Sequence, residues 1–461
     1  MIQDEFSLEA IRRVPVAEGV LRALSFLFSE ERIAALYEKH RGASYEREIT
    51  FHTLVELMYS AVVEHQAVGN AAIESARNAG KLNVSDQATY GKIRRVRQSL
   101  SNALVCNSIE PLMEMFPDRI ETRTPVCFTK YNVFCIDGKK LKDVAKRLKE
   151  TRGLAGKLLG GKALVALSVH EQLVVAMSSS LDGEANDGPL VPELIKRLHE
   201  WSPKDNIILA DSQFCDLTTP RHILAERSNF VVRYHPKVHF HVDPEVAAVE
   251  STDSQGRSCV NEIGWLGKPH TETCIRVRRI TVKRDNTEDL ILVTSLLNAK
   301  QFSTADILDL YSLRWTIETA FQHVTKEFDL RRMIGSTAEA TLFQFAISLV
   351  IYNVMRLIQA HVSEARDISP EAVSLPKIAD TTRKQLTCLT VLVPADQAAN
   401  AIRSGKQTAA QIAELLKRLW DPRWVKAKKK RTNTKAPPNK QSGAHTSVYR
   451  AILKYHAAKD V

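Results

Sequence analysis

No CxxC pair, no regular cysteine framework and no long apolar run occurs in this chain of 461 residues. Its seven cysteines (Cys106, Cys127, Cys135, Cys215, Cys259, Cys274, Cys388) are scattered, so neither a disulfide scaffold nor a zinc finger is indicated, and a reducing cytoplasm fits. No stretch approaches the ~18 to 20 uninterrupted apolar residues of a membrane span, and the opening MIQDEFSLEAIRR has early acids and no apolar h-region. The expectation is a protein neither secreted nor embedded in a membrane. Acids are also in deficit: 53 Asp and Glu against 64 Lys and Arg leave a net charge of +11 and a pI near 9.2. That balance favours a polyanionic partner or an anionic surface, without choosing between nucleic acid and membrane.

What is there begins with length, which allows two to four domains and a sizeable core. Much of the positive excess is local. Between 422 and 440 stand eight Lys and Arg (Arg423, Lys426, Lys428, Lys429, Lys430, Arg431, Lys435, Lys440), no acid, and Pro437 and Pro438. Such a composition reads as a flexible basic arm making non-specific phosphate contacts, with a solubilising tail as the plainer alternative.

Residues 1–120 read as a helical domain and a candidate DNA binder. Leu54, Leu57, Met58, Ala61 and Val62 recur at helical spacing within 51–79, and a second helical pattern runs from 85 to 104. Lys92, Arg94, Arg95 and Arg97 give the second pattern a basic surface, equally compatible with a DNA-reading module and with a solvated helix face. The centre changes character. YNVFCID (131–137), ALVALSVH (163–170), QLVVAMS (172–178), NIILAD (206–211) and NFVVRY (229–234) read as strands, with helices at 191–201 and 217–227. The order β, β, β, α, β, α, β is that of an α/β, ribonuclease H-like fold, whose first part spans 121–235. Short alternating runs over 236–298 read as a β-rich insertion, 299–365 as core helices, and 366–461 as a C-terminal helical region carrying the basic arm.

Within 303–331 an apolar stripe of Ile307, Leu310, Ile317, Phe321, Val324 and Phe328 predicts one amphipathic helix. Tyr311, Arg314, Glu318 and Gln322 follow one another at steps of three and four and so share a second face. Taken alone, Arg314 and Glu318 read as a solvated ion pair. Two strand-end aspartates change that reading. Asp137 closes the first strand and Asp211 the fourth, and in such a sheet these strands are neighbours. Three converging carboxylates repel one another unless a divalent cation compensates, and hard oxygen ligands select Mg²⁺ or Mn²⁺. A two-ion cluster of this kind predicts phosphodiester transfer on nucleic acid. For each Asp alone, a turn residue is the simpler reading, Asp137-Gly138 being a common turn dipeptide. GKLLGGK (156–162) satisfies GxxxxGK, but Ala163 replaces the Ser or Thr that would hold Mg²⁺ and a strand follows it, so it reads as a glycine-rich turn.

IDG at 136–138, ILADSQF at 208–214, NFVVRY at 229–234 and YSLRWTIETAFQHVTKEFDL from 311, followed by an apolar helix, resemble the DDE transposases of bacterial insertion sequences, in the branch named for a Tyr, Arg, Glu, Lys signature. The likeness covers roughly residues 20 to 360, with the blocks in the family's order. It implies that Asp137, Asp211 and Glu318 are the catalytic, metal-binding triad, holding two Mg²⁺ ions for which Mn²⁺ can substitute. It implies that Tyr311 and Arg314 contact DNA near the cut. The family's lysine position is Thr325 here, with Lys326 one step later and about 100° round the helix. Gln213 stands where the family usually has a small residue. Trp265 is the candidate, by location, for the aromatic residue of the insertion that holds a flipped base. The activity implied is cut-and-paste DNA transposition: binding of element ends, assembly as a homodimer, strand cleavage and strand transfer on double-stranded DNA, in the cytoplasm in association with the nucleoid. A catalytically inactive transposase-derived DNA-binding protein and a nuclease of the same fold without joining activity remain the alternatives.

Overall fold

The structure is a computed structural model, and it describes residues 7, 9–117, 123–203, 205–284, 288–330, 332–393, 407–426 and 445–458. Helices come first. α1 (Pro15–Leu27) opens on a proline, whose missing N–H costs nothing in a first turn. α2 (Glu30–His40) and α3 (Phe51–Val63) follow, the latter capped by the Thr50 hydroxyl, which accepts from Thr53 N at 3.1 Å. α4 (Gly69–Asn78), α5 (Asp86–Ile93), α6 (Gln98–Asn107) and α7 (Ile109–Met113) complete the set. Each of the two long periodic stretches of the sequence is thus divided. The first breaks where Gln66 and Ala67 take positive φ (51° and 61°), and the second at Arg94 to Arg97.

The five strands read from the sequence appear as β1 (Asn132–Leu141), β3 (Gly161–Ser168), β4 (Val174–Ser180), β5 (Asn206–Ala210) and β6 (Asn229–Arg233). They lie in the order β4-β3-β1-β5-β6: β1 is antiparallel to β3 and parallel to β5, and β5 is parallel to β6. α8 (Val191–Trp201) and α9 (Thr219–Ala225) make the crossovers between β4, β5 and β6. A short β2 (Lys157–Leu159) stands apart and pairs with β12 (His445–Ser447) in a separate two-stranded sheet. The GKLLGGK segment is therefore strand, turn and strand, and Lys162 is buried in an ion pair with Asp187 at 2.7 Å. The large sheet does not stop at β6. β11 (Leu290–Thr294) pairs antiparallel with β6, and β10 (Ile275–Val282), β9 (Ser258–Leu266) and β7 (Phe240–Val242) continue outward, with β8 (Val249–Thr252) also on β9. The strands of the expected insertion thus extend the central sheet rather than forming a layer of their own.

After the sheet come α10 (Thr304–Ser312), α11 (Trp315–Glu327) and α12 (Ala338–Arg366). α12 is long and apolar enough to cross a membrane, and its most apolar window is wholly buried inside the protein. It packs on β3 and β4, which together with β5 are buried along nearly their whole length because both sheet faces are covered. Asn353 of α12 accepts from Val174 N and donates to Val174 O, both at 2.8 Å, beside the register shift at Ala166 and Leu167. That side chain satisfies the backbone groups the irregular ladder leaves unpaired.

The C-terminal part holds α13 (Leu375–Leu392), α14 (Ala409–Lys417) and α15 (Val448–Ala457). The expected basic arm lies largely at 427–440, outside the described residues. Its beginning is anchored: Trp424 is buried, its indole donates to Thr381 Oγ1 at 3.0 Å, and Val425 bridges to Val373. The chain returns in β12 and α15, where Arg450 pairs with Asp182 at 2.7 Å and Glu184 at 2.8 Å.

Candidate active site

The parallel pairing of β1 with β5 runs from Asn132 opposite Asn206 to Cys135 opposite Leu209 and then ends. Asp137 and Asp211 each stand two residues beyond that last pair. Asp137 is still within β1 while Asp211 is the first residue past β5, so the two share a register position at the lip of the gap where the strands part, the place where open α/β sheets bind ligands. Asp137 itself does not close its strand. β1 runs on to Leu141, with Asp137 opposite Val165 and Gly138 opposite Leu164. The Asp-Gly pair that reads as a turn is thus extended backbone. Its glycine is needed for space, because a Cβ there would run into the Asp187 carboxylate.

Side-chain alternation fixes which face Asp137 uses. Cys135 donates to Leu313 O at 3.5 Å, and the Lys139 ammonium lies 5.4 Å from the centre of the Phe321 ring, so residues 135, 137 and 139 face the α10 and α11 side. Phe134, one step out of phase, packs edge-on against Trp201 of α8 on the other side. Glu318 occupies the first turn of α11, between those two contact points.

The single helix expected over 303–331 is two helices. At the seam the N–H groups of Leu313, Arg314, Thr316 and Ile317 each bond to the carbonyl three residues back, a tightened turn. Tyr311 therefore lies in the last turn of α10, Arg314 is the N-cap residue of α11, and Glu318 lies in the first turn of the new helix. The seam rests on β1 through Cys135, and it turns Arg314 inward. Arg314 is 8% exposed and donates to Glu318 Oε1 at 2.8 Å, while its Nε has no partner. The solvated surface pair allowed by the sequence is in fact a largely buried contact.

Electrostatics join these groups into one site. Burial pushes the Asp137 carboxyl up to about 6, with Asp211 and Glu318 adding to the rise while Gly138 N–H and Arg314 oppose it. Tyr311 is pushed up to about 12 by burial, with Arg314 and Arg233 opposing and Asp211 adding. Burial works against the Arg314 charge, but Tyr311, Glu318 and Asp211 outweigh it and its pKa rises. Asp211 is also tied locally, its Oδ1 accepting from Gln213 N at 2.9 Å. Among the described residues, no group of three or more His, Cys, Asp or Glu side chains could hold a metal ion. The donor set nonetheless suits a hard divalent cation: oxygen ligands only, with a carboxyl whose charge its neighbours disfavour.

The other residues singled out by sequence lie apart from the triad. Lys326 is exposed in the last turn of α11, and Thr325 Oγ1 is spent on Phe321 O at 2.7 Å. Trp265, in β9, is half-buried with the Arg276 guanidinium 5.7 Å from its ring centre and His270 beside it. Arg94, Arg95 and Arg97 are exposed between α5 and α6. One residue escaped the sequence reading. Trp315, 61% exposed, opens α11 with Arg314 against its ring at 5.1 Å, and so presents a bare aromatic face beside the carboxylates. Its only sequence signal was a tryptophan out of phase with the apolar stripe.

Residues 128–354 match the sequence model of a family described as a transposase DDE domain. No curated protein matches the chain. Among solved structures, the chain is similar to a piggyBac transposase synaptic complex with hairpin DNA, determined by cryo-EM, at 11% identity and a TM-score of 0.42, over 87% of this chain and 84% of that one.

Proposed function

We propose, from the match of residues 128–354 to the model of a transposase DDE domain, that this protein binds the ends of its own mobile element and cuts and joins DNA strands at Asp137, Asp211 and Glu318. The observation that carries this reading is the register that sets Asp137 beside Asp211 at a parting pair of parallel strands, with Glu318 acting on Asp137 from the facing helix. The strand order β4-β3-β1-β5-β6 supports a ribonuclease H-like core. The Tyr311, Arg314, Glu318 run supports the bacterial insertion-sequence branch named for that signature, and a cytoplasmic, nucleoid-associated setting.

Asp137, Asp211 and Glu318 would hold two Mg²⁺ ions, which when bound supply activation of the attacking oxygen and stabilisation of the leaving one. Arg314 has two tasks in this scheme. In the free protein it neutralises Glu318, and with DNA present its planar fork is available for a phosphate once Glu318 turns to the ion. Tyr311 remains protonated at neutral pH, so its hydroxyl donates and orients the strand. Trp315 offers its face to a base at the cleavage site, and Trp265 to one displaced from the stack. A homodimer, holding two double-stranded ends, supplies one such site per end.

The test is end cleavage with Mg²⁺ by the full chain, its Asp137→Ala form and its Glu318→Ala form. The expected result is loss of cleavage with DNA binding retained. Cleavage that survives either substitution removes the site assignment, and a wild-type product that is cut but never joined to target DNA makes the protein a nuclease.

A further inference from the structure

A second set of charges lies away from the carboxylates, joined to the helix of Glu318 through His323. Arg356, in the middle of the buried helix α12, is nine-tenths buried. Its guanidinium donates to Gln359 Oε1, and its Nε has no partner. Buried guanidinium groups are ordinarily satisfied on every side, because an unpaired donor there carries its full desolvation cost. Around it stand Arg123, Lys426 and His323. Among the described residues, the carboxylate that acts on it is Glu371, which is largely exposed and already held by Arg123 at 3.1 Å.

The cluster is held rigidly. Gln359 Nε2 donates to Pro370 O at 2.6 Å and Val373 O at 2.8 Å, Val373 bridges Val425, and Lys426 N donates to Ala372 O at 2.8 Å. The crowding of like charge is felt by His323, Arg356 and Lys426. Burial, then Arg356, Lys426 and Lys326, push His323 down to about 4. Burial lowers Arg356 to about 10, with Arg123 contributing and Tyr352 and Glu371 opposing. Lys426 is lowered by burial and by Arg356 and Arg123, against Glu371. Such a cation-rich cluster is matched by an anion with several acceptor oxygens.

We propose that Arg123, Arg356 and Lys426, with His323 at the edge, form a subsite for one backbone phosphodiester group of the bound DNA strand. The inference rests on the DNA-cutting reading above and adds a contact to it. His323 follows Glu318 by five residues, about 7.5 Å along the helix axis. Those five residues also turn the helix by about 140°, so the cluster would meet the DNA on a face other than that of the carboxylates and contact a phosphate outside the cleavage site. A phosphodiester suits the geometry: its two free oxygens accept from a guanidinium and an ammonium together, and the partly exposed Lys426 and Arg123 line the entrance.

The experiment measures binding of the full chain to duplex DNA across a salt series, for wild type, Lys426→Gln, Arg123→Gln and Arg356→Gln. Each lost phosphate contact should flatten the slope of log affinity against log salt by about 0.9. Lys426→Gln, at an exposed position, keeps the test informative if the buried Arg356→Gln fails to fold. In parallel, melting temperatures are read with and without inorganic phosphate at matched ionic strength. A flattened slope for Lys426→Gln and Arg123→Gln supports the subsite. Wild-type slopes in both, with wild type binding DNA, overturn it and leave the cutting reading standing. A phosphate-dependent melting shift that these variants lose, with the DNA slope unchanged, makes the pocket a site for free phosphate and likewise overturns the DNA assignment. A wild-type chain that binds no DNA at all takes down both readings.

Discussion

Asp137→Asn in the metal-free protein should stabilise the fold, and the gain should depend on pH. The Asp137 carboxyl is pushed up to about 6, against an ordinary aspartate value near 4. A carboxyl with a raised folded-state pKa binds more protons in the native than in the unfolded state between those two values. Stability therefore falls as pH rises through that window. Below about pH 4 both states are protonated and the penalty is absent; above about pH 6 it is complete. Two pKa units correspond to about 3 kcal/mol, which is the ceiling for what the neutral isostere recovers at pH 7. The asparagine oxygen can still accept from Gly138 N, which donates to Asp137 Oδ1 at 2.8 Å, so the substitution removes charge with little change of shape. Urea unfolding of wild type and variant in chelator, at a series of pH values, gives the difference directly. It should be near zero at about pH 4, rise through about pH 5, and level off above about pH 6.5. A difference independent of pH, or a variant less stable than wild type at pH 7, refutes the claim that Asp137 is charge-frustrated. Added Mg²⁺ should narrow the gap, because it relieves in the wild type the same repulsion the substitution removes.

Asn353→Ala should destabilise the protein by about 2 to 4 kcal/mol in denaturant unfolding, because it strands the N–H and C=O of Val174 in a dry interior. Gly138→Ala should lower the melting temperature by an amount equivalent to about 1 to 3 kcal/mol, since its methyl and the buried Asp187 carboxylate compete for the same space. Trp315→Ala, at an exposed position, should change stability by less than about 0.5 kcal/mol yet reduce end cleavage, read as product per unit of bound DNA.

The strands were the most legible part of the sequence. YNVFCID, NIILAD and NFVVRY are apolar runs of strand length, and they occupy β1, β5 and β6 in the order their connections require. The juxtaposition of Asp137 and Asp211 followed from that order alone. The seam at Leu313 was not legible, because tightening one turn to three-residue bonding leaves the apolar period almost unchanged on either side. The end of β1 was misread for another reason. Asp-Gly has the chemistry of a turn, and only the carboxylate of Asp187, 49 positions away in sequence, shows why a glycine stands in mid-strand there. Arg356 was hidden inside an apolar helix, since the groups that give it meaning, Arg123 and Lys426, lie far off in the chain.

The two ends of the lysine-rich stretch have a last consequence. Lys426 leaves from a segment pinned by Trp424, and His445 re-enters as a strand beside Lys157, with Ser447 N bonded to Glu184 at 2.7 Å. Both of these points are set by the folded body. Closing a loop becomes costlier only slowly with its length, by about 0.6 kcal/mol for each doubling. Lengthening or shortening this stretch is therefore nearly neutral for the fold, and evolution can vary how far its charges reach without redesigning anything they are attached to.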